Sequence, residues 1–504
     1  MRRALLTSLL LLTMLVFGAI AAPAQDIAKL EKDISTFTLD NGLKFIVVER
    51  HDSPVFSYVS MCKVGSVNEV PGITGLAHMF EHMAFKGTDV IGTKDYSKEK
   101  KALDAVDEAQ AAWWQTKLKG ASDEEIAKAK EAMQKAEEVA DEYVVKNEFG
   151  SIVEQAGGTG LNASTASDVT TYFYNLPSNK LQLWAYLESQ RYIHPVLREF
   201  YKERDVVEEE RRMRTESSSF GRLLEEFITT AYKAHPYGQP TVGHMSDLEA
   251  FTRKDALKFH AKYYVPGNVV MCLVGDVDPK EVQSLAKKYF GPWKAAPVPE
   301  PVRTVEPPQI AERTVTLKDP GQPLLVMGYH KPAASSPDDA AFDVLTEVMA
   351  NGRSSRLYKK LVKEEQSAVS VGAFTGFPGQ LYPGLFLTFA VPAKGFTAAQ
   401  CESSILKEFD KAKSGDITAE ELEGAKTRLK ANWIRQVRSD TGMAQTLCSA
   451  QVILGDWQKA LSYPSEVDAV TLDDLQRLCK TYLIEKNLTV GTIVTEEKGA
   501  EDAS

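Results

Sequence analysis

The chain has 504 residues, more than one ordinary hydrophobic core holds, and so predicts two or more domains. Hydrophobic content of 43% and charged content of 25% are globular values, which exclude a disordered or fibrous chain. A formal net charge of −10 argues against nucleic acid as a partner.

At the N-terminus, Arg2 and Arg3 precede an apolar run over residues 4–22, and Ala22-Pro23-Ala24 gives a small-x-small site. This reads as a Sec-type signal peptide, residues 1–24, against the competing reading of an uncleaved membrane anchor. No cysteine follows the cleavage site, which argues against a lipoprotein. No other stretch is long and apolar enough to span a bilayer. The expectation is a chain exported to a periplasm or secreted, with no stable membrane anchor.

Residues 34–70 read as a β-meander, with Asp40-Asn41-Gly42 as a hairpin turn and Val55–Val64 as a long strand. Next comes Gly75-Leu76-Ala77-His78-Met79-Phe80-Glu81-His82-Met83, read as a helix. His78 and His82 are four residues apart and share one face. Two such imidazoles suit a zinc ion, and the carboxylate of Glu81 beside them can take a proton from an attacking water. The order His-x-x-Glu-His is the inverted relative of His-Glu-x-x-His. Two hydrogen-bonded histidines in a buried helix give the competing reading, so a third ligand is needed from elsewhere.

Residues 96–147 are rich in Ala, Glu, Lys and Asp and read as a helical hairpin, with Ser122-x-x-Glu125 as a capping box. Trp113 and Trp114 are expected to pack within it or on the body. The glycines of 157–160 are no phosphate loop, because no Gly-Lys-Ser/Thr follows. Thr170–Tyr174 has strand composition, and 178–196 reads as a helix. In Tyr201–Met213, Glu203, Val206, Val207 and Glu210 fall on one helical face. Carboxylates buried beside two valines need partners, and a zinc ion is one.

Residues 246–290 read helix, strand, helix, with Ser246 as a cap and Asn268–Gly275 as a buried strand. Six prolines between 291 and 310 mark a stiff, exposed linker. Beyond it the pattern repeats. Leu324–Tyr329 matches the Val55–Val64 strand, a helix over 339–349 takes the place of the histidine helix, and 475–494 echoes 254–275. The helix of the repeat has lost the ligand histidines: Thr346-Glu347-Val348-Met349 stands where they would be. Cys62, Cys272, Cys401, Cys448 and Cys479 form no C-x-x-C pair and read as buried apolar residues.

Together these motifs resemble the pitrilysin/insulysin family of inverted zinc metallopeptidases, in particular its mitochondrial-processing-peptidase-like branch. The resemblance rests on Gly75-Leu76-Ala77-His78-x-x-Glu81-His82 with Phe85-Lys86-Gly87-Thr88. It rests equally on Asn162-Ala163-x-Thr165-x-x-Asp168-x-Thr170-x-Tyr172, Glu203-Arg204-x-Val206-Val207-x-Glu209-Glu210 and His235-Pro236-Tyr237. It implies an α+β fold of two homologous α/β-sandwich domains, each a mixed, mostly antiparallel sheet flanked by helices. Their expected bounds are 25–290, with the insertion 96–147, and 311–504, joined by the linker 291–310.

The resemblance implies a zinc metalloendopeptidase holding one zinc through His78, His82 and Glu210. Glu81 is then the general base and Glu203 a nearby supporting acid. A register one residue earlier makes Glu209 the ligand, but Glu209 does not share the face of Glu203. Asn162 and Ala163 match the sheet edge on which an extended or unfolded peptide substrate pairs. The family also uses an Arg and a Tyr seven residues apart, and Val362 and Val369 fill those positions here. A homologous partner subunit supplying that pair is therefore expected. The alternative is a non-catalytic structural, assembly or peptide-binding member of the same family.

Overall fold

The computed structural model describes residues 30–495; the expected signal peptide lies outside them. Two sheets organise the chain. The first has six strands: β1 (Ile34–Thr38), β2 (Lys44–Glu49), β3 (Val55–Cys62), β4 (Thr159–Thr165), β5 (Thr170–Pro177) and β6 (Val269–Gly275). Their order is β1-β2-β6-β3-β5-β4. The second has five: β7 (Arg313–Asp319), β8 (Leu324–Lys331), β9 (Ala368–Phe377), β10 (Gly384–Pro392) and β11 (Leu488–Thr495). Their order is β7-β11-β8-β10-β9.

The repeat is explicit in this topology. The pairs β2–β6 and β7–β11 are parallel, and every other pairing in both sheets is antiparallel. In each half the late strand inserts between the first two strands of the repeat. The expected meander is therefore corrected. β1 and β2 do form a hairpin at Asn41-Gly42, but β6 separates β2 from β3. Seven consecutive buried residues in β6 explain the preference, since an apolar strand gains most at the centre of a sheet.

Each sheet has one face covered by its own helices and the other by a helix from the opposite half. Helix Asp440–Ser449 lays Met443, Ala444, Leu447 and Cys448 on Ile46, Val48, Val59, Met61 and Cys272 of the first sheet. Reciprocally, helix Ser219–Ala231 lays Leu223, Phe227 and Ile228 on Leu324, Val326, Leu387 and Ile493 of the second. The halves are thus interlocked. No helix or strand forms between Phe290 and Arg313, and this segment is mostly exposed but tied down. Asn41 Nδ2 donates to Phe290 O and Trp293 O, and Glu306 accepts from the N–H groups of Lys233, Ala234 and His235.

The hairpin of 96–147 forms from helices Tyr96–Leu118 and Asp123–Asp141, with the Ser122/Glu125 capping box in place. Arg253 binds Asp107 at 2.8 Å and Lys117 binds Glu249 at 2.9 Å, fixing it along the body. Trp113 is half-buried against the core, and the Lys117 ammonium lies 5.8 Å and 5.2 Å from the Trp113 and Trp114 rings. Between 245 and 263 there are two helices, Met245–Ala250 and Arg253–Tyr263. Ser246 is not a cap: it lies inside the first of these helices, which starts from His244, whereas Thr252 caps the second through a reciprocal capping box with Asp255. All five cysteines are buried and free.

Candidate metal centre

Helix Leu76–Met83 begins at Gly75, whose φ of 90° lies in the left-handed region. A Cβ there would stand 2.5 Å from Val242 O, so only glycine fits. Glu69 caps the helix: its carboxylate accepts from Gly75 N–H at 2.7 Å and Ala77 N–H at 2.6 Å. These amides would otherwise be orphaned at the helix start. Burial pushes the Glu69 carboxyl up to about 8 against those bonds. Leu76, Ala77, Met79, Phe80 and Met83 fill the core, which leaves His78, Glu81 and His82 toward the helix Phe200–Arg211.

That second helix brings Glu210 to the histidines. One donor atom from each of His78, His82 and Glu210 lies within 4.8 Å of the others, the one such metal-competent group among the described residues. His78 Nε2 is 3.7 Å from Glu210 Oε1, and His82 Nε2 is 3.5 Å from Glu210 Oε2. Glu209 instead points out and pairs with Arg212 at 2.9 Å. The reading of two buried valines beside the acids is corrected: Val207 is fully buried but Val206 is 50% exposed. On the helix wheel the two valines flank the glutamates on opposite sides, and only the Val207 side packs into the core.

Glu203 Oε2 lies 3.5 Å from His82 Nδ1, behind the ring and away from Glu210, and its other oxygen pairs with Lys86. Glu81 accepts a hydrogen bond from Thr165 Oγ1 at 2.6 Å. Asn162 and Ala163 lie on the same strand, β4, which pairs with β5 through Asn162↔Phe173 and Ala163↔Tyr172. Its other edge has no neighbouring strand among the described residues. Arg214, on a π-helical turn over Arg212–Glu216, pairs with Glu210 Oε1. Thr165, Lys86 and Arg214 were singled out by no chemistry in the sequence, although Thr165 and Lys86 stood within the quoted motifs. On the far half, Val369 is exposed on β9 and Val362 lies in the turn Tyr358–Glu364.

The electrostatics suit a cation. Burial drives His78 down to about 4. Burial opposes charge on His82 too, but hydrogen bonds to Glu203 and Glu210 outweigh it and raise this imidazole to about 9. The His82 bond holds Glu210 below the ordinary carboxylate value, and burial raises Glu81 above it. His78 makes no hydrogen bond, and its Nδ1 is buried without a partner. An imidazole left unsatisfied in a buried site is costly, and a metal ion on its other nitrogen offsets that cost. Two imidazoles and a carboxylate are a donor set that zinc accepts, with a further position left open.

Residues 46–137 match the family model described as insulinase (peptidase family M16), and 250–429 match that of the peptidase M16 inactive domain. The zinc protease PqqE of Helicobacter pylori is 31% identical over 460 residues, covering 90% of each chain. An uncharacterised zinc protease of Mycobacterium leprae is 24% identical over 457 residues, covering 88% of each. A crystal structure of a Helicobacter pylori protease superposes with a TM-score of 0.76 and 29% identity, over 91% of this chain and 99% of that one. For the M16 inactive domain from Pseudomonas fluorescens, the TM-score is 0.73 at 15% identity, over 92% and 99%. The chain belongs to the insulinase family of peptidases, family M16.

Proposed function

We propose that this chain is a zinc metalloendopeptidase and the zinc-carrying subunit of a two-chain active site. The observation that supports this most is the convergence of His78, His82 and Glu210 beside Glu81. Bound by those three side chains, zinc supplies Lewis-acid activation of the scissile carbonyl and of the attacking water. Glu81 takes the water's proton and returns it to the leaving amine. Its raised pKa fits a carboxylate that must hold that proton briefly. Glu203 is a supporting acid that orients His82 through Nδ1.

The substrate is an extended or unfolded peptide that adds to the open edge of β4 beside Asn162 and Ala163. Backbone pairing along an edge strand cannot engage a folded surface. Val362 and Val369 offer no cation or hydroxyl for the substrate, so a homologous partner subunit supplies an Arg/Tyr pair. Residues 1–24 export the chain to a periplasm, and the domains divide as 25–290 and 311–504 about the linker 291–310. Metal analysis and peptide hydrolysis test this reading. One zinc per chain, lost in His82→Ala, with Glu81→Gln keeping zinc but losing hydrolysis, is the expected result. Unchanged turnover in Glu81→Gln overturns the base, and full activity of the monomer alone overturns the partner.

A further inference from the structure

Thr165, Asp168 and Tyr237 belong to the motifs read from the sequence, yet the reaction above leaves them without a role. Thr165 is the last residue of β4, pairing with Thr170 across the turn into β5, and it donates to Glu81 Oε2 at 2.6 Å. The turn that follows is held from three sides. Ala166 N–H donates to Val169 O at 2.9 Å within the turn. Ser66 and Val67 donate their N–H groups to Ala166 O and Ser167 O at 3.4 and 3.0 Å. Asp168, 5% exposed, accepts from Tyr237 Oη at 2.6 Å on one oxygen. Its other oxygen accepts from Gln380 N–H at 2.6 Å and Leu381 N–H at 3.0 Å. Tyr382 N–H donates to Tyr237 Oη at 3.1 Å.

Two glycines make these approaches possible. A Cβ on Gly65 would stand 2.1 Å from Ala166 O, and one on Gly379 would stand 2.4 Å from Tyr237 Oη. Gln380, Leu381 and Tyr382 belong to the second half, in the loop joining β9 to β10. The loop therefore grips the turn whose first side chain holds the base. A glutamate carboxylate turns broadly about its last torsion, so a single short bond to one oxygen sets the direction of the other.

We infer that Thr165 is the positioning residue for Glu81, and that the Asp168–Tyr237 node carries the 379–382 loop's grip to it. This rests on the reading of Glu81 as the base. The second half, which has no ligands of its own, then contributes to the site by fixing where the base points. Because β4 is also the strand whose free edge receives the peptide, substrate pairing and base orientation share one element.

The test uses the full-length chain with the assembly that gives activity, and compares Thr165→Val, Thr165→Ser and Asp168→Asn with the parent. Valine keeps the shape of threonine and removes the donor; serine keeps the donor. In Thr165→Val, kcat should fall about 10- to 100-fold while KM, zinc content and melting temperature stay as in the parent. Thr165→Ser should restore most of kcat. Asp168→Asn should lower kcat as well, and the double variant should be no worse than Thr165→Val alone, because both act through one carboxylate. A parental kcat in Thr165→Val, a loss of zinc with kcat, or no rescue by serine overturns the role of Thr165. Independent effects in the double variant overturn the link through Asp168. If the parent binds zinc and cleaves no peptide in any assembly, the protease reading falls and this inference with it; an active parent with an indifferent Thr165→Val defeats the inference alone.

Discussion

Glu203 Oε2 lies 3.5 Å from His82 Nδ1, while the opposite nitrogen of the same ring faces Glu210 at 3.5 Å. A carboxylate behind a metal-binding imidazole fixes its tautomer and makes the other nitrogen a better donor. Lys86 holds Glu203 from the far side. Glu203→Ala should therefore weaken zinc binding by about 10- to 100-fold without abolishing it. Competition with a chelator measures this. An affinity equal to the parent's would show that Glu203 has no hold on the ligand.

Zinc binding should release a proton. In the metal-free protein, His82 is raised to about 9 because Glu203 and Glu210 outweigh its burial, so it is charged at neutral pH. A metal ligand must be neutral, and the proton must leave. Affinity should then rise with pH and level off as His82 loses its proton near 9. Calorimetry in two buffers of different ionisation enthalpy counts the proton. The sign for the metal-free fold is opposite. The folded value lies above the ordinary 6.5, so this histidine stabilises the apoprotein fully below that value and the contribution is lost as pH rises through 9. Melting of the apoprotein across that window checks it.

The elements of the site differ in how far the sequence exposes them. His78, Glu81 and His82 are near neighbours on one helix, so spacing alone predicts the shared face of the two histidines with Glu81 beside them. Glu210 could be aligned with them through the periodicity of its own helix, because Glu203, Val207 and Glu210 repeat at helical spacing. Thr165 is a different case. Its contact with Glu81 depends on where β4 ends and on how the following turn is clamped, and neither is a periodic property. The same limit applies to β6, which reads as a buried strand but does not announce that it will part β2 from β3. The exchange of helices Ser219–Ala231 and Asp440–Ser449 is equally silent, since an amphipathic helix has the same pattern whichever sheet it covers.

Arg198 and Glu99 should be the most damaging buried pair to break. Both are almost fully buried, and Arg198 Nε donates to Glu99 at 2.6 Å. The guanidinium also donates to Thr88 O at 2.6 Å and Ile91 O at 2.9 Å, which folds the loop after the histidine helix onto the hairpin insertion. Arg198→Met strands the Glu99 carboxylate in the core and frees those carbonyls. The expected cost is about 3–5 kcal/mol, read as a lower urea midpoint. The double variant Arg198→Met/Glu99→Leu should recover part of it, because the stranded charge is gone. No recovery would mean that the carbonyl bonds, not the ion pair, carry the stability.

The interlocked helices make a prediction about the halves. Leu447 is fully buried against the first sheet although it lies in the second half of the chain, and Phe227 is fully buried against the second sheet although it lies in the first. Chains cut in the 291–310 segment and expressed singly each present one uncovered apolar sheet face and one uncovered helix. Exposed faces of that kind associate or aggregate. Either half alone should therefore be insoluble, whereas co-expression should yield a soluble complex of the two. In the intact chain Leu447→Ala should cost about 2–5 kcal/mol and lower the melting of both halves together, seen as one shifted transition. Two separate transitions, or soluble and folded single halves, would show that each sheet closes its own core and that the exchanged helices are only docked upon it.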